Sequence, residues 1–217
     1  MLRSPLRYNI YVMKQLKKLN LILNVLSALY PKTTNALKVF GAIVVLKKIV
    51  TVLTSLCRCL LRRPKNLIKR YGEGSWVFIT GSSEGIGKAI ASEFAQKGFN
   101  IILSARTKAK LEAAKEELQA QFSGVEVRTL AVDYSHSTEP SFIKDKLREL
   151  EGLDISVLVN NVGVDVLNYY HRLSEEEILR LVNINCGACS VLSHQLIPHF
   201  LSRPSQSAII NVASLAG

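Results

Sequence analysis

The residues best placed to do chemistry form one run, Gly81-Ser-Ser-Glu-Gly-Ile-Gly87, directly after the apolar Trp76–Ile79. Three glycines at spacings of four and two suit a close turn, the approach of backbone N–H groups to a pyrophosphate, and tight packing of a helix on a strand. The helix N-terminus adds positive potential. Gly81, Ser82, Ser83, Gly85, Ile86 and Gly87 are therefore candidate contacts to a dinucleotide, against the plainer reading of an ordinary βα loop. The flanking elements favour the first reading. A wholly apolar run suits a strand buried on both faces of a parallel sheet, Lys88 to Ala95 continues as a helix, and Ile86, Ile90 and Phe94 repeat at helical spacing. Asn100 to Leu103 then closes a βαβ unit in about thirty residues, the length such units need.

Further candidates sit where later strands should end. An acid about twenty residues beyond the glycine run would bind a ribose 2′-hydroxyl, but this chain has Ser104-Ala105-Arg106 there. With no carboxylate to repel a 2′-phosphate and a guanidinium to pair with one, the site should favour NADP(H) over NAD(H), unless Arg106 is simply a solvated loop residue. Val125 to Val132 reads as a third strand ending at Asp133, and Ile155 to Val159 as a fourth ending in Asn160-Asn161-Val162-Gly163. In an open α/β sheet, ligands lie outside the carboxyl ends of the strands, so Asp133, Asn160, Asn161 and Gly163 are candidate cofactor contacts. Asp133 is equally suited to capping a helix beyond Ser135, and the Asn pair to plain turn chemistry.

Together, Thr80-Gly-x-x-x-Gly-x-Gly87, Asp133 and Asn160-Asn-Val-Gly163 resemble the short-chain dehydrogenase/reductase superfamily in order and spacing, over about residues 71–217. Lys69-Arg-Tyr-Gly72, Gly98-Phe-Asn-Ile101, Ser104-Ala-Arg-Thr107 and Val159-Asn-Asn-Val-Gly163 are similar to the membrane-bound branch of very-long-chain 3-oxoacyl-CoA reductases and 17β-hydroxysteroid dehydrogenases. The resemblance implies a Rossmann-type, doubly wound parallel α/β sheet of strand order 3-2-1-4-5. It also implies NADPH-dependent reduction of a 3-oxoacyl-CoA or steroid carbonyl.

Carried over by position, the family's catalytic Asn falls on Asn185, on a long helix from about Ser174 to Leu201. Its catalytic Ser falls on Ser214 of Ser214-Leu-Ala-Gly217, after a strand Ala208–Val212. The plainer readings are a buried polar residue for Asn185 and a strand-end turn for Ser214. The family's proton donor, a Tyr followed four residues later by Lys, has no match: the tyrosines at 8, 11, 30, 71, 134, 169 and 170 all lack that lysine. The pattern implies an incomplete domain without its last two strands, able to bind cofactor but inactive alone. The alternative is a short, non-catalytic, nucleotide-binding membrane protein. A homodimer is implied where the C-terminal half is present.

The elements that would carry this site are preceded by a leader of opposite character. Residues 1–70 contain fifteen Lys or Arg and no acid, whereas residues 71–217 contain thirteen bases against seventeen acids, a net charge of −4. The domain organisation is thus read as a basic, apolar leader over 1–70 and a nucleotide-binding domain over 71–217. Leu19–Tyr30 and Val39–Leu61 are apolar, the second long enough for about 30 Å of hydrocarbon but with Lys47 and Lys48 near its middle. Two central lysines cost about 5–7 kcal/mol on an insertion scale, roughly what the aliphatic residues return. A span and an in-plane helix both remain open. Arg62, Arg63, Lys65, Lys69 and Arg70 would hold the following domain on the cytosolic side, which fits an endoplasmic reticulum anchor. A mitochondrial presequence is the rival reading. Nucleic acid is not expected as a partner, because the bases alternate with apolar runs and form no polar patch.

Cysteine and histidine spacing points to no metal site. Cys186-Gly-Ala-Cys189 lies inside a helix with no second pair to complete a zinc site, and His136, His171, His194 and His199 read as surface or helix residues. Lys108 to Gln119 reads as a charged helix burying Leu111, Ala114 and Leu118.

Overall fold

A computed structural model describes residues 17, 18, 20–22, 24, 25, 28, 31–61 and 66–214. The chain divides into two units, Met1–Pro64 and Lys65–Gly217. Leu215–Gly217 and the basic residues Arg62, Arg63 and Lys65 lie outside the described residues.

In the first unit, helix α1 spans Pro31–Leu60. At 1.5 Å per residue it is about 45 Å long. Its stretch Asn35–Leu60 is long and apolar enough to cross a membrane, with a mean hydropathy of 2.0 and none of it buried in the protein. Apolar residues occupy all sides: Val39, Phe40, Ile43, Val44, Val45 and Leu46 are each exposed although they fall on successive faces.

The second unit opens with α2 (Leu67–Tyr71), β1 (Trp76–Thr80), α3 (Gly85–Gln96), β2 (Asn100–Ala105) and α4 (Lys108–Gln121). It continues with β3 (Val127–Ala131), α5 (Phe142–Leu147), β4 (Ile155–Asn160), α6 (Glu175–Val182), α7 (Ala188–Ser202) and β5 (Ala208–Asn211). A π-helical turn, Asn183–Gly187, joins α6 to α7, so the long helix expected from about Ser174 to Leu201 is interrupted. Ser174 starts it with a capping box, its hydroxyl accepting from Glu177 N–H while the Glu177 carboxylate accepts from Ser174 N–H.

All five strands are parallel in the order β3-β2-β1-β4-β5, as the family resemblance implied. Alternate residues of β1 feed two cores. Val77 and Ile79 pack with Ala91, Ala95, Leu111, Ala114 and Leu118 of α3 and α4. Trp76 and Phe78 pack in the other layer with Ile143 of α5 and Ala188, Leu192 and Leu196 of α7. Helices on both faces explain why β1 is apolar without alternation. Of the three apolar residues that repeat at helical spacing on α3, Ile90 and Phe94 pack on the core and Ile86 is 64% exposed, while Gly87, Ala91 and Ala95 are the buried ones. The helix lies so close to the sheet that small residues face it, and Ile90 and Phe94 flank the contact. On α4 the buried residues are Leu111, Ala114 and Leu118, as read from the sequence.

At the amino edge of the sheet one side chain joins three segments. Arg203, its side chain 3% exposed, pairs with Asp154 through Nε at 2.5 Å and Nη2 at 2.9 Å. It also donates to the carbonyls of Tyr71 (2.6 Å) and Gln206 (2.7 Å) and to the Ser207 hydroxyl (3.1 Å). All five guanidinium donors are thus used, and α2, the start of β4 and the approach to β5 are tied together.

Candidate nucleotide-binding site

β1 lies between β2 and β4, so the chain reverses its direction of travel across the sheet beside β1. The crevice at the carboxyl ends of such strands is where α/β sheets hold ligands. The glycine turn occupies that place. Gly81 has φ +63°, and a Cβ there would lie 2.9 Å from Val162 Cα. At Gly87 an added Cβ would meet the Gly81 carbonyl oxygen at 2.3 Å and Asn161 Nδ2 at 2.6 Å. Both positions exclude a side chain, the first through conformation and close approach, the second through close approach alone. α3 begins inside the turn, at Gly85, and its N-cap residue Glu84 makes no side-chain cap bond. The first-turn N–H groups thus have no side-chain acceptor from the cap, and Glu84's own charge is paired with Lys110 at 3.0 Å.

Thr80, the buried last residue of β1, organises this turn, although the sequence reading named it only as the first residue of the glycine motif and gave it no role. Its Oγ1 accepts from Asn161 N–H (2.9 Å) and Val162 N–H (3.0 Å), and its hydroxyl donates to the Val159 carbonyl (3.3 Å). Asn161 Nδ2 donates in turn to the carbonyls of Thr80 and Gly81, each at 3.0 Å. The loop after β4 is thereby sewn to the glycine turn. The signal available was the Thr next to Gly81: a small hydroxyl at a strand end holds a crossing loop where an aliphatic residue would not.

The other candidates divide by where their side chains go. Ser82 is buried, donating to the Ile79 carbonyl at 2.8 Å and accepting from Ser104 N–H at 2.9 Å, so its hydroxyl bolts β1 to β2 and faces away from the crevice. Ser83 is half-buried and Ile86 lies exposed on the turn. Asn160 also points inward, its Nδ2 donating to Asn211 Oδ1 (2.8 Å) and Ser193 Oγ (3.2 Å), while Oδ1 is buried with no partner. A Cβ on Gly163 would lie 3.4 Å from Asn185 Oδ1.

Arg106, exposed just beyond β2, makes no ion pair among the described residues, and its charge reaches Asp133. Burial pushes the Asp133 carboxyl up, but hydrogen bonds from Ser135 N–H (3.0 Å) and hydroxyl (2.8 Å), together with Arg106, bring it below the ordinary carboxylate range. Asp133 therefore caps the 3-10 turn Tyr134–His136, the alternative its sequence position left open, while standing at the strand end beside Arg106. Tyr134 is buried with its hydroxyl 2.7 Å from Ser104 Oγ, and burial raises its phenol well above the usual range.

Asn185 sits in the π-turn and holds the loop after β4 with both ends of its amide. Oδ1 accepts from Val164 N–H and Nδ2 donates to the Val164 carbonyl, each at 2.9 Å. The π-turn is itself fastened to the loop after β3: Asn183 Nδ2 donates to the Ser135 carbonyl (2.8 Å), and the Ser137 and Thr138 hydroxyls donate to the carbonyl and Oδ1 of Asn183 (2.7 and 2.9 Å). The strand ends carrying Asp133 and Asn161 are so linked to Asn185. Ser214 is exposed beyond β5, which continues the same sheet edge through Val212 N–H to the Asn160 carbonyl at 2.9 Å.

A family model described as short chain dehydrogenase matches residues 75–217. The chain belongs to that family. It is 40% identical over 164 residues to a very-long-chain 3-oxoacyl-CoA reductase of Caenorhabditis elegans, a match covering 72% of this chain and 50% of the relative. It is 33% identical over 180 residues to a very-long-chain 3-oxoacyl-CoA reductase of Podospora anserina, covering 82% of this chain and 52% of the relative. The chain thus spans about half the length of these short-chain dehydrogenase relatives. Among solved structures it is similar to L-sorbose reductase from Gluconobacter frateurii complexed with NADPH and L-sorbose, at 33% identity and a TM-score of 0.59. That match covers 66% of this chain and 53% of the other. A short-chain dehydrogenase from Sphingobium yanoikuyae in complex with NADPH aligns at 32% identity and a TM-score of 0.58, over 65% of this chain and 54% of the other.

Proposed function

We propose that residues 71–217 bind NADP(H), with Arg106 taking the 2′-phosphate, and that the protein to which they belong reduces the carbonyl of a 3-oxoacyl-CoA or a steroid. The observation that carries this reading is the cradle at the carboxyl edge. Gly81 and Gly87 leave no room for a side chain, α3 begins in the turn without a side-chain cap, and a guanidinium with no ion pair among the described residues follows β2 where an acid would select NAD(H). A dinucleotide diphosphate fits that cradle by shape and by charge. NADPH held there would supply a hydride to a carbonyl carbon.

The chain's own residues would hold and orient the reactants. The backbone of the glycine turn and α3 would meet the diphosphate, Asp133 the adenosine end, and Asn161 and Gly163 would fix the loop over the ribose. Asn185 keeps that loop in place, and Ser214 would donate to the substrate carbonyl oxygen. Within these 217 residues no Tyr is followed four positions later by Lys. General acid help of that kind is typically worth 10²–10⁴-fold. The 217-residue chain by itself is therefore expected to bind cofactor without turning substrate over.

For the first unit we infer embedding of α1 in the endoplasmic reticulum membrane, with the second unit on the cytosolic side. Apolar residues on every side of α1 support a span, since a helix lying in the interface needs one polar face. The basic run over 62–70 supports the orientation. The exposed Leu179, Val182, Ile197 and Leu201 on α6 and α7 support an apolar contact there, with a second copy as one candidate.

The test is a titration of the full chain with NADPH and with NADH, read by nicotinamide fluorescence, in wild type and Arg106→Ala. Saturable binding that prefers NADPH and loses that preference in the variant is the expected result. Absence of binding by a folded sample refutes the reading.

A further inference from the structure

The second unit has an open, shallow concavity at the edge opposite the nucleotide turn, about 500 Å³ in volume and lined by Asn66, Lys69, Arg70, Pro204, Ser205 and Gln206. Its two cations are exposed, and neither forms an ion pair among the described residues, although this unit carries seven other ion pairs of lysine or arginine with acids. Arg70 is set across the face of Tyr71, its guanidinium carbon 5.6 Å from the ring centroid. The opposite wall is held by Arg203, whose buried fork fixes Gln206 and Tyr71 relative to Asp154, and by Gln206 N–H donating to the Arg70 carbonyl at 3.3 Å. The concavity is thus hydrogen-bonded across its back, cationic, and lined also by the polar residues Ser205 and Gln206. That combination recognises a phosphate ester carrying a further polar group.

Its place in the chain says where such a group would come from. Six residue steps separate Leu60, the end of α1, from Asn66, so the two are joined by at most about 20 Å of chain. Three of the intervening residues are the bases Arg62, Arg63 and Lys65. We propose that this concavity is a docking site for the headgroup of an anionic phospholipid, with Lys69 and Arg70 meeting its phosphate. The proposal rests on the reading that α1 is embedded in a membrane. β1 is five residues long, so the concavity and Gly81 stand at opposite ends of a strand of roughly 16 Å. Headgroup docking would therefore turn the glycine cradle away from the bilayer, toward the solution from which a soluble dinucleotide arrives.

The experiment uses the full chain reconstituted in nanodiscs of phosphatidylcholine alone or with phosphatidylserine, followed by amide hydrogen exchange. Slower exchange of 66–72 and 203–207 with phosphatidylserine, lost in the Lys69→Gln/Arg70→Gln variant, is the expected result. Each basic side chain near an anionic surface is worth about fivefold in affinity, so the double variant should lose about 25-fold in preference for phosphatidylserine. Unchanged Trp76 emission shows that the variant is folded. Equal exchange in the two lipids, with the chain retained in both discs, overturns the headgroup site and leaves the anchor standing. Failure of the chain to stay in either disc overturns the membrane reading and the proposal with it. Equal protection of the detergent-solubilised chain by inorganic phosphate overturns the lipid assignment in favour of a free-phosphate site.

Discussion

Replacing Thr80 by Val keeps the volume of the side chain and removes one oxygen. That oxygen accepts from two backbone N–H groups, those of Asn161 and Val162, at 2.9 and 3.0 Å. A buried donor left without a partner costs about 1–3 kcal/mol. Both residues are half-buried, so water can recover part of that, and the loss should be about 2–4 kcal/mol. For a domain of this size 1 kcal/mol corresponds to about 2–4 °C, which places the shift in Tm at about 5–15 °C downward. Trp76, the sole tryptophan and 5% exposed at the start of β1, reports unfolding by its emission on heating. NADPH affinity should fall with stability, because the same loop carries the Asn161 amide that grips the Gly81 carbonyl. Thr80→Ser retains the oxygen and should retain both properties to a large degree. A Thr80→Val protein that melts within about 2 °C of wild type and binds NADPH equally well would refute the view that this hydroxyl holds the turn.

Gly87→Ala places a methyl 2.3 Å from the Gly81 oxygen, so the turn must move; NADPH binding should be lost and stability should fall by about 1–3 kcal/mol, measured by titration and thermal melting. Arg106→Ala should weaken NADPH by about 10–100-fold while leaving NADH nearly unchanged, the value of a charge-assisted contact to phosphate. Arg203→Met should lower Tm by removing the fork that joins α2, Asp154 and the approach to β5. Hydrogen bonding from Arg203, outweighing burial, lowers the Asp154 carboxyl below its ordinary range. The stability from this pair is therefore present above the unfolded carboxylate pKa of about 4 and disappears as pH falls through the lower folded value. The gap between the melting temperatures of wild type and Arg203→Met should accordingly narrow in acid without closing, since the bonds to Tyr71, Gln206 and Ser207 do not titrate there, and a gap independent of pH would refute the assignment.

Much of the fold was readable because its signals are local and redundant. β1 is an apolar run between a polar segment and a glycine turn, and α4 shows a three-residue stripe among charges, so strand, turn and helix could each be placed within a residue or two. On α3 hydrophobicity marked Ile86, Ile90 and Phe94, and Ile90 and Phe94 do pack on the core, but the residues buried against the sheet are the small Gly87, Ala91 and Ala95, because closeness to the sheet decides which residues face it. The π-turn at Asn183–Gly187 left no periodic trace. It is held by Asn183 reaching the loop of Ser135 and Thr138, more than forty positions away in the chain, a contact no local pattern encodes. For the candidate site, the positions at the strand ends were legible, but the directions of their side chains were not: Ser82 and Asn160 turn inward while Asn161 turns to the glycine turn.

The central position of β1 has a consequence for synthesis of the chain. Its first neighbour, β2, begins only twenty residues after β1 ends, but its second, β4, begins at Ile155, some seventy-five residues after Thr80. At about 5–20 residues per second, a ribosome needs roughly 4–15 s to supply it. Throughout that interval the nascent chain presents Trp-Val-Phe-Ile-Thr with one open ladder, a segment rich in β-formers and without charge. Protection of that edge during translation is thus a requirement of the topology itself, and sequence changes that slow arrival of β4 should raise aggregation without altering the finished fold.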